Sequence, residues 1–156
     1  MLKMAILSTV IIVGVAGVRA DTVKKATRIE INTAIDLPAS IDAVWLVLAD
    51  IESYPQWNPY HVRVDRVLQR GRKLTVDIVK PNGKSLTIRP RVLEVEEHRS
   101  LVWDGGPAGL FRGEHRFDLE PINPGCTRLH HTEVFSGLFV SYAELDAIEP
   151  GYKRMN

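Results

Sequence analysis

The sequence predicts an α+β sandwich, in which a curved antiparallel sheet of about seven strands packs against two short helices. Three observations carry that expectation. Arg28 to Leu37 alternates apolar and polar residues, a proline-bounded helical stripe follows between Pro38 and Pro59, and from Tyr60 onward the hydrophobic period stays at two. Sheets and helices with one apolar face each must bury those faces against one another, and this element order leaves a two-layer solution.

In the first strand, Ile29, Ile31, Thr33 and Ile35 fall on one side, after a short polar lead-in over residues 21–26. Ser40 is suited to cap a helix N-terminus, and Ile41, Val44, Trp45 and Leu48 recur at helical spacing behind it. That places Trp45 in a buried stripe. Asp50 to Gln56 makes a second short helix or turn. It ends in Tyr54-Pro55 and Trp57-Asn58-Pro59, where two prolines prevent continuation and the chain folds back as a compact aromatic knuckle.

Val62, Val64 and Val67 then mark a strand with a local irregularity, and Gly71 a hairpin. Leu74, Val76 and Ile78 form the next strand, closed by the Asn82-Gly83 turn. Leu86 to Glu97 is long and contains Pro90, which predicts an edge position or a bulge. Leu101 to Trp103, Phe111 to Glu120 and Thr127 to Ser136 complete the sheet, with a glycine-rich stretch at Gly105 to Gly109.

The totals of 156 residues, 45% hydrophobic and 25% charged describe one ordinary globular domain plus a leader. A net charge of +1 lacks the basic face that nucleic acid requires, so no such partner is expected. Lys3, the apolar run Met4 to Val18 and the small residues of Val18-Arg19-Ala20 read as a secretory signal over residues 1–20, cleaved after Ala20. The expected protein is therefore exported, periplasmic or secreted, with residues 27–156 as its domain. The competing reading is a retained anchor. A run of that length at about 1.5 Å per residue reaches only about 22 Å, short of the roughly 30 Å hydrocarbon core, so no stable anchor is expected after cleavage. Cys126 is the single cysteine and excludes an intrachain disulfide.

Chemistry is concentrated in the last two strands. Phe111, Gly113, His115, Phe117 and Leu119 share one face, and Arg112, Glu114, Arg116 and Asp118 the other. Leu129, His131, Glu133 and Phe135 alternate in the same way. If both apolar faces point inward, His115, His131 and Glu133 meet among aromatics. There they can act as acid and base, or form a structural network in which Glu133 pairs with Arg89 or Arg91. Trp57 and Trp103 read as cavity wall, with a recognition platform as the alternative, and Phe111, Phe117, Leu129 and Phe135 as apolar lining. Two imidazoles and a carboxylate can bind zinc, but this spacing is not diagnostic, and neither metal nor organic cofactor is expected. His98 and His130 fall on loop and outer-face positions and take no role. No phosphate-cradling glycine loop or nucleophile elbow is present.

Pro38-Ala39-Ser40 followed by Val44-Trp45, then Tyr54-Pro55-x-Trp57-Asn58-Pro59, Leu101-Val102-Trp103 and His131-x-Glu133-x-Phe135-x-Gly137 resemble the START-like (SRPBCC) superfamily, the polyketide cyclase/dehydrase and lipid-transport group, over Arg28 to Asn156. The resemblance implies a helix-grip fold, with a cavity between sheet and helices and a long C-terminal helix. The sequence after Phe139 leaves that last helix largely missing, and an uncovered groove of this kind invites a second chain, so a homodimer is one expected assembly.

Two functions follow from the resemblance. The first is binding of a hydrophobic or amphiphilic small molecule (a lipid, polyketide or aromatic metabolite), with Trp57, Trp103, Phe111, Phe117, Leu129, Phe135 and Arg91 around it. The second is a cofactor-independent cyclase or lyase that uses His131, Glu133 and His115 as an acid–base cluster. The same cluster serves either function, a carrier or an enzyme.

Overall fold

A computed structural model describes residues 19–25, 27–65 and 67–142. Alternating residues form strands throughout this region: β1 (Arg19–Lys25), β2 (Arg28–Leu37), β3 (His61–Asp65), β4 (Thr75–Val79), β5 (Ser85–Ile88), β6 (Arg91–Glu96), β7 (Ser100–Gly105), β8 (Arg112–Asn123) and β9 (Cys126–Ser136). They make two antiparallel sheets. The larger runs β1-β2-β9-β8-β7-β6 and the smaller β3-β4-β5.

Nine strands replace the expected seven or so, for two reasons. The supposed polar lead-in is β1, paired with β2 from Arg19↔Ala34 to Lys25↔Arg28. Its residues are mostly exposed, as suits an edge strand carrying lysines, so apolar alternation could not reveal it. The long segment around Pro90 is two strands in different sheets. Pro90 has no N–H to give a ladder, and the chain passes there from the small sheet to the large one. A hydrogen bond from the Leu74 N–H to the Pro90 carbonyl (2.9 Å) and a bridge between Lys73 and Arg91 seam the two sheets together. The expected bulge lies just beyond, between Val92 and Glu94.

Helix α1 (Ile41–Ala49) is capped by Ser40, whose Oγ accepts the Ala43 N–H at 3.3 Å, and it buries Val44, Trp45 and Leu48 as the spacing predicts. A 3-10 turn (Ile51–Ser53) leads into α2 (Tyr54–Trp57), with Pro55 in its first turn. Tyr54 is wholly buried and its hydroxyl donates to the Leu48 carbonyl at 2.9 Å, which pins the knuckle beneath α1. Asn58 Oδ1 then accepts from the N–H groups of Tyr60 (3.0 Å) and His61 (2.8 Å), fixing the entry to β3. The Thr127 hydroxyl donates to the Ala39 carbonyl at 2.9 Å and ties the entry of α1 to β9. Among the described residues no helix is long and apolar enough to cross a membrane.

After β9 the chain makes a 3-10 turn at Val140–Tyr142. The expected helical stub beyond it, and residues 1–18 of the expected leader over 1–20, lie outside the described residues. Gly137 connects β9 to this turn with φ of +122°, and a Cβ placed on it would run into the Leu110 carbonyl. Gly83 has φ of +79° with open space around it. Gly137→Ala is therefore expected to cost more than 2 kcal/mol in chemical denaturation, against about 1 kcal/mol for Gly83→Ala. Equal losses at the two sites would contradict this packing.

Candidate functional site

The hairpin of β8 and β9 builds the site by register alone. His115 lies opposite Glu133, Phe117 opposite His131 and Gly113 opposite Phe135, all on the inward face. His115 Nδ1 stands 2.8 Å from Glu133 Oε2 and 3.4 Å from His131 Nε2. On the next strand Trp103 is the partner of His115, and their rings stack at 4.8 Å and 6°. His61 approaches from the small sheet, its ring edge-on to His115 at 4.9 Å. Three imidazoles and a carboxylate thus share one buried region walled by aromatic rings.

A cavity of about 260 Å³ opens between the two sheets beside this cluster. Of the residues singled out in the sequence, His115, Glu133, Trp103, Phe111 and Phe135 line it. The remaining walls are Tyr60, His61, Ile78, Lys80, Leu86, Ile88 and Pro90 from the small sheet and its junction, and Gly105, Gly106 and Gly113 from the large sheet. A separate recess of about 610 Å³, lined by residues such as Arg72, Lys73 and Arg89, holds none of the cluster.

Several expected positions fall elsewhere. His131, Phe117 and Leu129 are buried beside or behind the cluster and do not line the cavity; the His131 and Phe117 rings pack at 4.6 Å. Trp57 is 36% exposed, lies against Tyr54 and donates its indole N–H to Ser53 Oγ at 3.3 Å. It closes the knuckle on its outer side. Arg91 donates to the Gly71 carbonyl at 2.6 Å and Arg89 borders the other recess, whereas His115 meets Glu133 at 2.8 Å. Among the described residues no group of His, Cys, Asp and Glu is arranged to hold a metal ion.

His61 is the residue that sequence reasoning missed. Simple alternation with Val64 sends it outward, but the ladder shifts between His61 and Arg63, and the extra residue returns His61 to the inner face opposite Ile78. The expected irregularity in this strand was the available signal, though nothing in the sequence fixed its position.

Burial dominates the electrostatics. It pushes the His115 imidazole down to about 3, and it pushes His61 well below the ordinary histidine value, with His115 nearby adding to the effect. Both rings are therefore uncharged at neutral pH. A neutral His115 with its proton on Nδ1 can donate to an ionised Glu133, a tautomer assigned from the hydrogen-bonding geometry.

The sign for stability follows. The unfolded chain binds protons at these histidines below its ordinary value near 6.5, while the folded chain does not, so stability is present above that pH and is lost as pH falls. Denaturation between pH 7.5 and 5 is expected to show extra uptake of about two protons on unfolding, reduced by about one in His61→Phe. A stability flat across this range would contradict buried neutral imidazoles.

A curved antiparallel sheet, two short helices after its second strand and a lined internal cavity define a START-like architecture. The chain belongs to the polyketide cyclase/dehydrase and lipid transport family, whose model matches residues 28–155. Among solved structures, protein Ms6760 from Mycobacterium smegmatis is similar at 19% identity and a TM-score of 0.67, over 92% of this chain and 93% of that one. A START superfamily protein from the same organism is similar at 19% identity and a TM-score of 0.58, over 80% and 94%. The di-domain ARO/CYC StfQ of the steffimycin biosynthetic pathway is similar at 12% identity and a TM-score of 0.58, over 81% of this chain and 44% of that longer one. These likenesses show the fold. No curated protein matches the sequence.

Proposed function

We propose that this protein binds a hydrophobic or amphiphilic small molecule in the cavity between its two sheets. The observation that carries the reading is the cavity itself, about 260 Å³ of space walled largely by aromatic and aliphatic side chains, with His61, His115, Glu133 and Lys80 as its polar groups. Binding sites for small molecules have this composition, mostly apolar with a few placed polar groups. Apolar burial supplies affinity at roughly 25 cal/mol per Å², and the Glu133–His115 pair orients the polar end. Gly105 and Gly106 border the cavity and form part of its rim.

A second reading is a cofactor-independent cyclase or lyase. It is favoured by one specific contact, the buried His115–Glu133 pair at 2.8 Å with His131 beside it, a set that can remove and return a proton. The fold likeness to the di-domain ARO/CYC StfQ supports that reading at the level of fold. Export belongs to the proposal too. Cleavage after Ala20 would remove only Arg19 and Ala20 from β1 and leave the pairs from Asp21↔Asn32 to Lys25↔Arg28.

The test is native mass spectrometry of the protein from its own host, with thermal unfolding across a library of lipids and aromatic compounds. A ligand held at a hundred times its dissociation constant is expected to add about 2.7 kcal/mol, a shift of a few degrees. An empty spectrum with no shift would overturn the binding reading. Glu133→Gln and His131→Ala separate the two functions. Weakened binding alone marks a carrier, whereas intact binding with lost product formation marks an enzyme.

A further inference from the structure

Positive charge is concentrated away from the apolar cavity. The segment from Arg63 to Lys73 carries five basic side chains against one acidic one, although the whole chain has a net charge of only +1. Arg63 is engaged by Asp77, its Nε donating to Oδ2 at 2.7 Å, and Arg91 by the Gly71 carbonyl. Arg72, Lys73 and Arg89 line the recess of about 610 Å³. All three are exposed, and none forms an ion pair among the described residues. Asp65 stands opposite Thr75 in the β3–β4 ladder but does not line the recess, and among the described residues the lining contains no acidic side chain.

The backbone beneath these cations holds them in place. The Gly71 N–H donates to the Val92 carbonyl (2.7 Å), the Val92 N–H to the Arg72 carbonyl (2.8 Å) and the Leu74 N–H to the Pro90 carbonyl (2.9 Å). The segment carrying Arg72 and Lys73 is thereby stitched to the junction of the two sheets. Arg89 precedes Pro90, which confines it to extended backbone, and alternation sends Ile88 to the apolar cavity and Arg89 to the recess. Cations fixed around one concave surface repel one another, and a bound anion removes that repulsion. Because the main chain is already ordered, binding there costs less freedom than on a loose loop.

The donor set selects the anion. Two guanidinium groups present planar forks that match phosphate oxygens in pairs, and the Lys73 ammonium adds a point charge. Gln69 and Thr75 contribute neutral hydrogen-bonding groups to the same lining. A carboxylate, with two oxygens and one charge, satisfies fewer of these donors than a phosphate. The volume equals about twenty liquid-water volumes, which leaves room for more than one phosphoryl group. Val67, 67% exposed at the edge of the recess, offers apolar surface to the carbon skeleton that carries them.

We infer that this recess is a second binding site, for a soluble organic phosphate bearing two or more negative charges. It is separate from the apolar cavity, so failure at one site leaves the other untouched. The test is calorimetry of pyrophosphate, inorganic phosphate and acetate with the whole protein at pH 7.5. Pyrophosphate is expected to bind most tightly and acetate most weakly, with the pyrophosphate affinity falling several-fold as salt rises from about 50 to about 300 mM. Arg72→Gln and Arg89→Gln are each expected to weaken pyrophosphate about tenfold, the loss of one charge-assisted hydrogen-bonding partner. Lys24→Gln removes the same charge from an exposed position on β1 outside the recess and is expected to change the affinity by less than about twofold. If Arg72→Gln disturbs the seam, Arg89→Gln and the comparison of anions on the unaltered protein still decide. Flotation with phosphatidylcholine vesicles containing one phosphatidate in five lipids separates a soluble ligand from a charged membrane surface. Binding to those vesicles without binding to pyrophosphate would overturn the proposal. So would equal affinity for acetate, an equal loss in Lys24→Gln, or no binding of pyrophosphate at all.

Discussion

The pairing of His115 with Glu133 is the constraint around which the inner face of the large sheet is organised. A carboxylate moved out of water must meet a donor or a positive charge, or give up its own charge. Here the donor is an imidazole supplied by the neighbouring strand, directly opposite in the β8–β9 ladder. That arrangement works only if the two strands keep their register, because a slip of one residue would put Glu114 or Arg116, or Thr132 or Val134, where a member of the pair now stands. The apolar neighbours Phe117, Leu129 and Phe135 hold the register by demanding the same face.

Around this pair the remaining elements act as walls. Trp103 stacks on His115 from β7, His61 meets it edge-on from β3, and His131 closes the side toward Phe117. The knuckle of Tyr54 and Asn58 matters at a distance. Its hydrogen bonds to Leu48, Tyr60 and His61 fix where the small sheet begins, and so where the second wall of the cavity stands. The shape of the cavity depends on packing between two separately hydrogen-bonded sheets joined at Pro90.

Much of this was legible in the sequence because burial on one face of a strand writes itself as alternation. That is why His115, Glu133, Phe111 and Phe135 could be assigned inward from the pattern of β8 and β9 alone. The capped helix at Ser40 and the knuckle at Tyr54 to Pro59 were likewise written in local chemistry. What stayed hidden depended on geometry beyond the local pattern. Strand β1 is polar on an exposed edge and leaves no apolar period. The aromatic character of Trp57 pointed to the cavity, whereas its ring lies against Tyr54 and its indole N–H meets Ser53, outside the cavity lining. Arg91 reaches the Gly71 carbonyl through a cross-sheet contact that no local spacing encodes.

The irregular step in β3 has one more implication. His61 and Val64 both face inward only because Val62 is accommodated as a supernumerary residue against β4. Were the backbone to absorb it into an unbroken ladder, Val62 would replace the imidazole and His61 would turn to the surface. A single step of strand register can thus exchange a proton-handling wall for an inert aliphatic one without altering any side chain.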